Sequence, residues 1–303
     1  MSGGLQSIRE VLIFSYQRKW IDAVEFAVLY DAYKSRELYP YWKFSTFDLD
    51  SWDDTECKTE LRFAKKDLPD LLSALDIPDK IVCSQDIENW QQPLLSQQKL
   101  QDYATAIHQG GAPLTNCFGF VDGTLRPLSR PSDGQRLLYN GHKRVHGIKF
   151  QSVVTPNGMI ANLSGPFEGR KHDSSMLYES GMLRELRRMA WVNGEPLCVY
   201  GDPAYPLNPH LQTPFRVANL TPNMVQYNKA MSEVRVAVEW LFGDIVNYFK
   251  FIDFKKQLKI GLSSVGKFYF VCALLENART CLYGNIVSEF FGIAPPSLQD
   301  YVQ

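Results

Sequence analysis

Three carboxylates stand where carboxylates can do chemistry: Asp122 in "GFVDGTLRPLSR", Asp202 in "LCVYGDPAYPL" and Glu239 in "NKAMSEVRVAVEWLFGDI". Each aspartate closes an apolar run, and Pro203 cannot donate to a β-ladder, so the second run must stop at Asp202. An aspartate at the carboxyl end of a central strand faces the crevice where α/β sheets bind ligands. At about 100° per residue, Asn228, Ser232, Arg235 and Glu239 form one polar stripe on a helix. That stripe adjoins a broad apolar face of Met231, Val234, Val238, Leu241, Phe242, Ile245 and Phe249. Glu233 points away from it, four residues after Lys229, an ordinary surface partner. Converged, two strand-end aspartates and a helical glutamate could hold two divalent cations about 3.5 to 4 Å apart, as phosphoryl-transfer nucleases require.

Each residue also has a plainer reading. Asp122-Gly123 is a good tight-turn pair. Asp202 could be a polar strand end, and Glu239 could simply pair with Arg235 across one helical turn. A phosphatase of the haloacid-dehalogenase type would need a nucleophilic aspartate two residues before Asp122, and Phe120 stands there. Asp173, in "GRKHDSS", is a candidate fourth acidic group or a helix N-cap. Arg126 and Arg130 follow Asp122, and "GHKRVHGIK" gathers His142, Lys143, Arg144, His146 and Lys149 into a candidate phosphate-contacting strand and turn. A second basic run is "KFIDFKKQLK". With a net charge of -1, any nucleic-acid contact must be a patch and not a wholly basic coat.

The elements that must position these residues follow from periodicity. Residues 1–112 read as a helical N-terminal region. Leu61, Leu68, Leu71, Leu72 and Leu75 can share one face ended by Pro78, and "SQQKLQDYATAIHQGGAPL" is a further helix stopped at Gly110-Gly111. Then "NCFGFVDGT" and "RVHGIKFQSVVTP" read as strands, and Asn157-Gly158 joins the second by a hairpin to "GMIANLSGPF". A helix over "SSMLYESGMLRELRRMA" is expected to start with Asp173 as its N-cap. The all-apolar "PLCVYGD" suits a central strand covered on both faces. After a proline-rich connection a long helix is expected from about 228 to 249. The apolar "GKFYFVCALLENARTCLYGN" should pack back on the sheet.

An apolar content of 45% over 303 residues is enough for a full core. The six cysteines lack zinc spacing and are expected as buried thiols. With no long apolar span and no secretory pattern, an intracellular protein is expected.

At this point whole blocks become recognisable. "GFVDGT", "YNGHKRVHGIKFQSVVTPNG", "GPFEGRKHDSSML", "YGDPAYPL" and "NKAMSEVRVAVEWLFGDI", in this order, resemble the PIF/Harbinger-type DDE transposases and the Harbinger transposase-derived nucleases. The resemblance implies a ribonuclease-H-like α/β fold over 113–303, a mixed sheet flanked by helices. Asp122, Asp202 and Glu239 match the family's catalytic and metal-binding triad, with Asp173 as a further candidate ligand. Two divalent cations, Mg²⁺ or Mn²⁺, are implied, suited to all-oxygen ligation. The implied activity is DNA phosphodiester cleavage. Arg126, Arg130, His142, Lys143, Arg144, His146, Lys149, Arg170, Lys171 and Arg235 are then candidate DNA contacts. Implied partners are DNA and a Myb/SANT-like protein, with a second copy of the chain as a further candidate; no membrane is expected. The implied location is the nucleus, with the cytoplasm second. A catalytically inactive DNA- or chromatin-binding protein is the alternative. Two departures stand out. Only residues 79–99 lie where relatives would carry a longer helical segment with a helix-turn-helix-like unit. The family's usual lysine after "FG" is not obvious in "FGDIVNYFKF".

Overall fold

The computed structural model describes residues 49–75, 95–132, 134–253 and 265–302, with isolated positions 12, 15–16, 18–19, 21–22 and 258. Pro78 and most of the short stretch 79–99 lie outside the described residues. Helix α1 (Asp54–Glu60) begins at a reciprocal cap. The Glu56 amide donates to Asp53 Oδ1 at 2.7 Å, and the Asp53 amide donates to Glu56 Oε2 at 2.8 Å. In α2 (Leu68–Leu75) Leu68 and Leu71 are buried, as the leucine spacing predicts. Leu72 points outward and Leu61 precedes the helix in a turn. Helix α3 (Gln97–Gln109) is capped by Ser96 and ends at Gly110.

The sheet is built from β1 (Cys117–Pro127), β2 (Tyr139–Asn140), β3 (Val145–Val154), β4 (Ile160–Glu168), β7 (Cys198–Gly201) and β8 (Leu211–Gln212). A separate two-stranded ladder joins β5 (Trp191–Val192) to β6 (Glu195–Pro196). Strand β3 pairs antiparallel with β1, β4 and β2, whereas β7 runs parallel to β1 and β8 parallel to β7. The β3–β4 hairpin turns at Asn157-Gly158 as expected, with Gly158 at φ +80°. The short helix α4 (Gln135–Leu138) leads into β2. The expected single helix after β4 is two: α5 (Asp173–Glu179) and α6 (Met182–Met189). Gly181 between them adopts φ +66°, which ends the first helix. His172, not Asp173, is the N-cap residue of α5, and Asp173 is its first helical residue. Helix α7 (Pro222–Tyr248) starts six residues earlier than the apolar spacing predicts, because Thr221 caps it and Pro222 suits the first turn.

Helices cover both faces of this mixed α/β sheet. On one face Phe120, Phe150, Val154 and Tyr200 pack against Val234, Val238, Leu241 and Ile245 of α7 and Tyr269 of α8 (Val265–Tyr283). On the other, Phe118, Val121, Val153 and Val199 meet Leu100 of α3, Leu177 of α5 and Leu186 of α6. Asn277 fastens α8 to β4: its Oδ1 accepts from the Ile160 amide at 2.8 Å and its Nδ2 donates to the Ile160 carbonyl at 3.0 Å. That pair carries the expectation that the C-terminal region packs back on the sheet. The chain continues through α9 (Ile286–Phe291) to α10 (Leu298–Val302). No helix among the described residues is long and apolar enough to cross a membrane. The five described cysteines are unbonded, and Cys83 lies outside the described residues.

Candidate active site

Strand register brings the two aspartates together. In the parallel β1–β7 pair Val121 stands opposite Gly201, so Asp122 and Asp202 are the next residues along two neighbouring strands. Pro203 stops β7 there, while β1 runs on to Pro127, with Asp122 paired to Ser152 and Gly123 to Gln151 on β3. Asp122 is therefore a mid-strand residue at the point where its neighbour ends. The tight-turn reading of Asp122-Gly123 is replaced by a strand that keeps its partner on one side and loses it on the other. Asp202 turns the chain after β7: its Oδ1 accepts from the Ala204 amide at 2.8 Å.

Arg235 joins the first aspartate to the helical glutamate. Its Nη1 donates to Asp122 Oδ2 at 2.7 Å and its Nη2 to Glu239 Oε1 at 3.0 Å. The other Asp122 oxygen accepts from the Gly123 amide at 2.7 Å. The i, i+4 pairing of Arg235 and Glu239 is thus present, but it is one half of a bridge to the sheet. Arg235 and Asp122 are largely buried, whereas the Glu239 side chain is 56% exposed. Glu233 pairs with Lys229 at 4.0 Å on the exposed side of α7, away from the site.

Burial pushes the Asp122 carboxyl up to about 6; the Arg235 guanidinium pulls it down, and the negative charge of Asp202 adds to the rise. The three carboxylates offer only oxygen donors, the chemistry that suits a hard divalent cation. Among the described residues no three acidic, histidine or cysteine side chains yet stand close enough together to hold one. The donor set fits such an ion, and the place already draws one positive charge, that of the guanidinium. Asp122 and Asp202 are held by adjacent strands, and Glu239 is exposed on α7.

Asp173 is held elsewhere. Alternate residues of a strand face opposite sides, so Gly123 presents the face opposite to the Asp122 side chain. On that face a Cβ at Gly123 would lie 2.8 Å from Asp173 Oδ1 and 3.1 Å from Met176 Cε. Lys149 Nζ donates to Asp173 Oδ1 at 2.5 Å and to the Lys171 carbonyl at 3.0 Å. Asp173 does not join the other carboxylates, and Lys149, buried against it, is not a surface cation. On the Asp173 face, packed with Val121 and Val199, sits Tyr205, which the sequence reading missed. Burial raises its hydroxyl well above the usual tyrosine range, and the charges of Asp173, Asp122 and Asp202 push the same way. Its hydroxyl accepts from Gln151 Nε2 at 3.0 Å. The signal was the aromatic residue three positions after Asp202.

The basic candidates divide. Arg126 is buried: it donates to Thr124 Oγ1, and its guanidinium lies 5.1 Å from the centre of the Tyr269 ring. Being two residues on from Thr124 on the same strand face, it turns into the α8 side of the core, and the expectation that it reaches outward is not met. Arg130, exposed, donates to Gln135 Oε1 at 3.0 Å. His142, Lys143 and Arg144 are exposed in the turn between β2 and β3, and His146 packs on Tyr139 with ring centres 5.2 Å apart. Arg170 pairs with Glu168 at 3.0 Å, and Lys171 with Glu179 at 2.6 Å. Arg136, at the same end of the sheet, is exposed and was not foreseen.

Comparison with known proteins adds the lineage. Residues 121–277, just over half of the chain, match the family of DDE superfamily endonucleases. The chain belongs to this family. The match opens at the residue before Asp122 and spans Asp202, Tyr205, Arg235 and Glu239, so the candidate site lies wholly inside it. Helices α1 to α3 precede it. The chain is also similar to the Arabidopsis thaliana protein named Protein ALP1-like, at 24% identity over 176 residues. That similarity covers 54% of this chain and 43% of the relative, so the chain spans less than half the length of the curated protein it matches. The Harbinger-type resemblance of the ordered sequence blocks is borne out. No solved structure matches.

Proposed function

We propose that the chain is a metal-dependent DNA endonuclease of the transposase-derived kind, cutting phosphodiester bonds with Asp122, Asp202 and Glu239 as its triad. The observation that carries this reading is the register of β1 on β7, with α7 bringing Arg235 and Glu239 to the same sheet face. The strand order, three antiparallel neighbours followed by two parallel ones, supports a ribonuclease-H-like fold over 113–303, preceded by helices α1 to α3. A pair of Mg²⁺ or Mn²⁺ ions bound by the three carboxylates would supply activation of the attacking water and stabilisation of the leaving oxygen.

The chain's own residues do the rest. Asp122 and Asp202, on adjacent strands, fix two carboxylates with little freedom, so binding costs them little entropy. Pro127 lies five residues beyond Asp122, about 17 Å along the strand, and the turn carrying His142, Lys143 and Arg144 lies past it. A DNA backbone laid from the triad to this turn would meet Arg130, Arg136 and Arg170, with His146 beside them, along the same end of the sheet, where exposed cations attract phosphates without reading sequence. Lys171 and Lys149, tied to Glu179 and Asp173, contribute structure there. With DNA as substrate, a nuclear location follows, and a Myb/SANT-like protein or a second copy of the chain would supply target choice.

The test is nicking of supercoiled plasmid in Mg²⁺ or Mn²⁺. Wild-type protein should cleave, EDTA should stop it, and Asp122→Asn and Glu239→Gln should each lose more than about a hundredfold, since even residues that merely support metal ligands cost 10- to 100-fold. A folded wild-type protein that binds DNA without cutting it would instead mark an inactive DNA-binding relative.

A further inference from the structure

Resting on the metal-dependent reading above, we propose that Arg235 is an exchangeable internal cation: before metal loading its guanidinium holds Asp122 and Glu239, and it must release both for a divalent ion to bind. The geometry is specific. Two different nitrogens of one rigid, planar fork serve two carboxylates from different elements, at 2.7 and 3.0 Å. On Asp122 the oxygen that Arg235 takes is Oδ2, whereas Oδ1 is committed to the Gly123 amide of its own strand. Oδ2 is therefore the oxygen turned to the guanidinium, and a metal ion approaching that oxygen competes with Arg235 for it.

The two ends of the bridge differ in how they can let go. Asp122 is fixed by its strand and by burial, so it stays and Arg235 must leave. Glu239 is 56% exposed on α7 and can rotate freely once Nη2 releases it. While bonded to Arg235, Glu239 Oε1 is held one turn back along its own helix. This accounts for the acidic groups not standing as a three-carboxylate cluster. Two positive charges at one partly buried carboxylate repel strongly at low local dielectric, so the bridge and the loaded site are alternative states.

The opposite role is a permanent brace, in which Arg235 positions Glu239 for the metal. The two differ in the sign of one measurement. Mn²⁺ binding by the full chain, followed by calorimetry and by the electron-paramagnetic-resonance signal of free Mn²⁺, is compared for wild type, Arg235→Gln and Arg235→Lys, with Asp202→Asn as a control for the site. Exchange predicts that Arg235→Gln binds Mn²⁺ at least about fivefold tighter, the low end of ordinary coupling between competing ligands, with Arg235→Lys between. Mn²⁺ should also raise the melting temperature of Arg235→Gln more than that of wild type. Equal or weaker binding by a folded Arg235→Gln overturns the exchange while leaving the metal site standing. Absence of Mn²⁺ binding in wild type and Arg235→Gln alike overturns the metal-dependent reading, and the exchange with it. Should Arg235→Gln not fold, wild-type protein labelled with ¹⁵N-arginine decides: one guanidinium signal, absent in Arg235→Lys, should shift as Mg²⁺ saturates the site. An unmoved signal overturns the proposal.

Discussion

Arg235 and Arg279 each stand beside two acidic side chains, on the two helices that cover one face of the sheet, and the outcomes are opposite. Beside the point where β7 stops, the Arg235 fork gives one hydrogen bond to Asp122 and one to Glu239. In a cavity of about 200 Å³ lined by Asp244, Tyr248, Glu276 and Asn285, Arg279 is spent elsewhere. Its guanidinium stacks 3.7 Å from the centre of the Tyr248 ring and donates to the Arg62 carbonyl. Glu276 is left with Oε2 unbonded, 3.8 Å from Arg279 Nε, in a side chain 2% exposed. Burial then pushes Glu276 up to about 8, against about 6 for Asp122. Near neutral pH Asp122 is mostly charged and the cavity acid mostly is not. Burial raises both carboxyls, and a guanidinium that hydrogen-bonds its acid accompanies the smaller rise.

The cavity half of this contrast is the one with the largest effect on stability. The carboxyl of Glu276 titrates at about 8 in the folded protein and near its ordinary 4.5 in the unfolded chain. Between those values the folded state holds a proton that the unfolded state has released, so stability falls as pH rises and levels off above about 8. The whole fall is at most about 5 kcal/mol, at 1.36 kcal/mol per pKa unit. Denaturant unfolding at pH 5, 6, 7 and 8 should show this loss in wild type and a much flatter profile in Glu276→Gln. Parallel profiles for the two proteins would mean that Arg279 does keep Glu276 charged, and the contrast with Arg235 would dissolve.

A smaller effect sharpens the strand-end half. A Cβ at Gly201 would lie 2.8 Å from Tyr205 Cδ2 and 3.0 Å from Val121 Cγ1, with the ring buried and its hydroxyl bonded to Gln151. Gly201→Ala should therefore cost about 1 to 3 kcal/mol, as overpacking does. It should also shift Asp202, the next residue, so that Mn²⁺ affinity drops along with the melting temperature. A stability loss with unchanged Mn²⁺ affinity would show that Tyr205 packs the site without positioning it.

Much of this site could be read from residue types and spacing, because strand ends and helical stripes are local properties. The polar stripe of Arg235 and Glu239 beside the apolar face of α7 is of this kind, as is the stop that Pro203 imposes after Asp202. What escaped depended on pairing between distant segments. That β1 continues past Asp122 follows from its ladder with β3, which supplies partners for Gly123 and Thr124 where β7 has none. That Asp173 lies on the other sheet face follows from the same register. Arg126 looked like a surface cation because charge usually signals exposure. Its burial rests on Thr124 and on the Tyr269 ring, which comes from a helix far along the chain. The split of the helix at Gly181, by contrast, is a local property of a glycine at φ +66°.

The smallest expected effect separates a surface cation from a buried one. Lys143 is exposed in the β2–β3 turn, its amide bonded to Asn140 Oδ1, and among the described residues its side chain makes no ion pair. Lys143→Ala should leave the melting temperature unchanged, because surface substitutions away from special features stay within about 0.5 kcal/mol. It should weaken DNA binding modestly and reduce the slope of log affinity against log salt by about 1, one fewer phosphate neutralised. Arg126→Ala should do the reverse: a lower melting temperature from the lost ring contact and a buried Thr124 hydroxyl left without its donor, with the salt slope intact. If the slope instead fell with Arg126→Ala and held with Lys143→Ala, the DNA path would run past the α8 side of the sheet. The basic turn would then be an ordinary solvated end, and the line drawn from Asp122 along β1 would need to be redrawn.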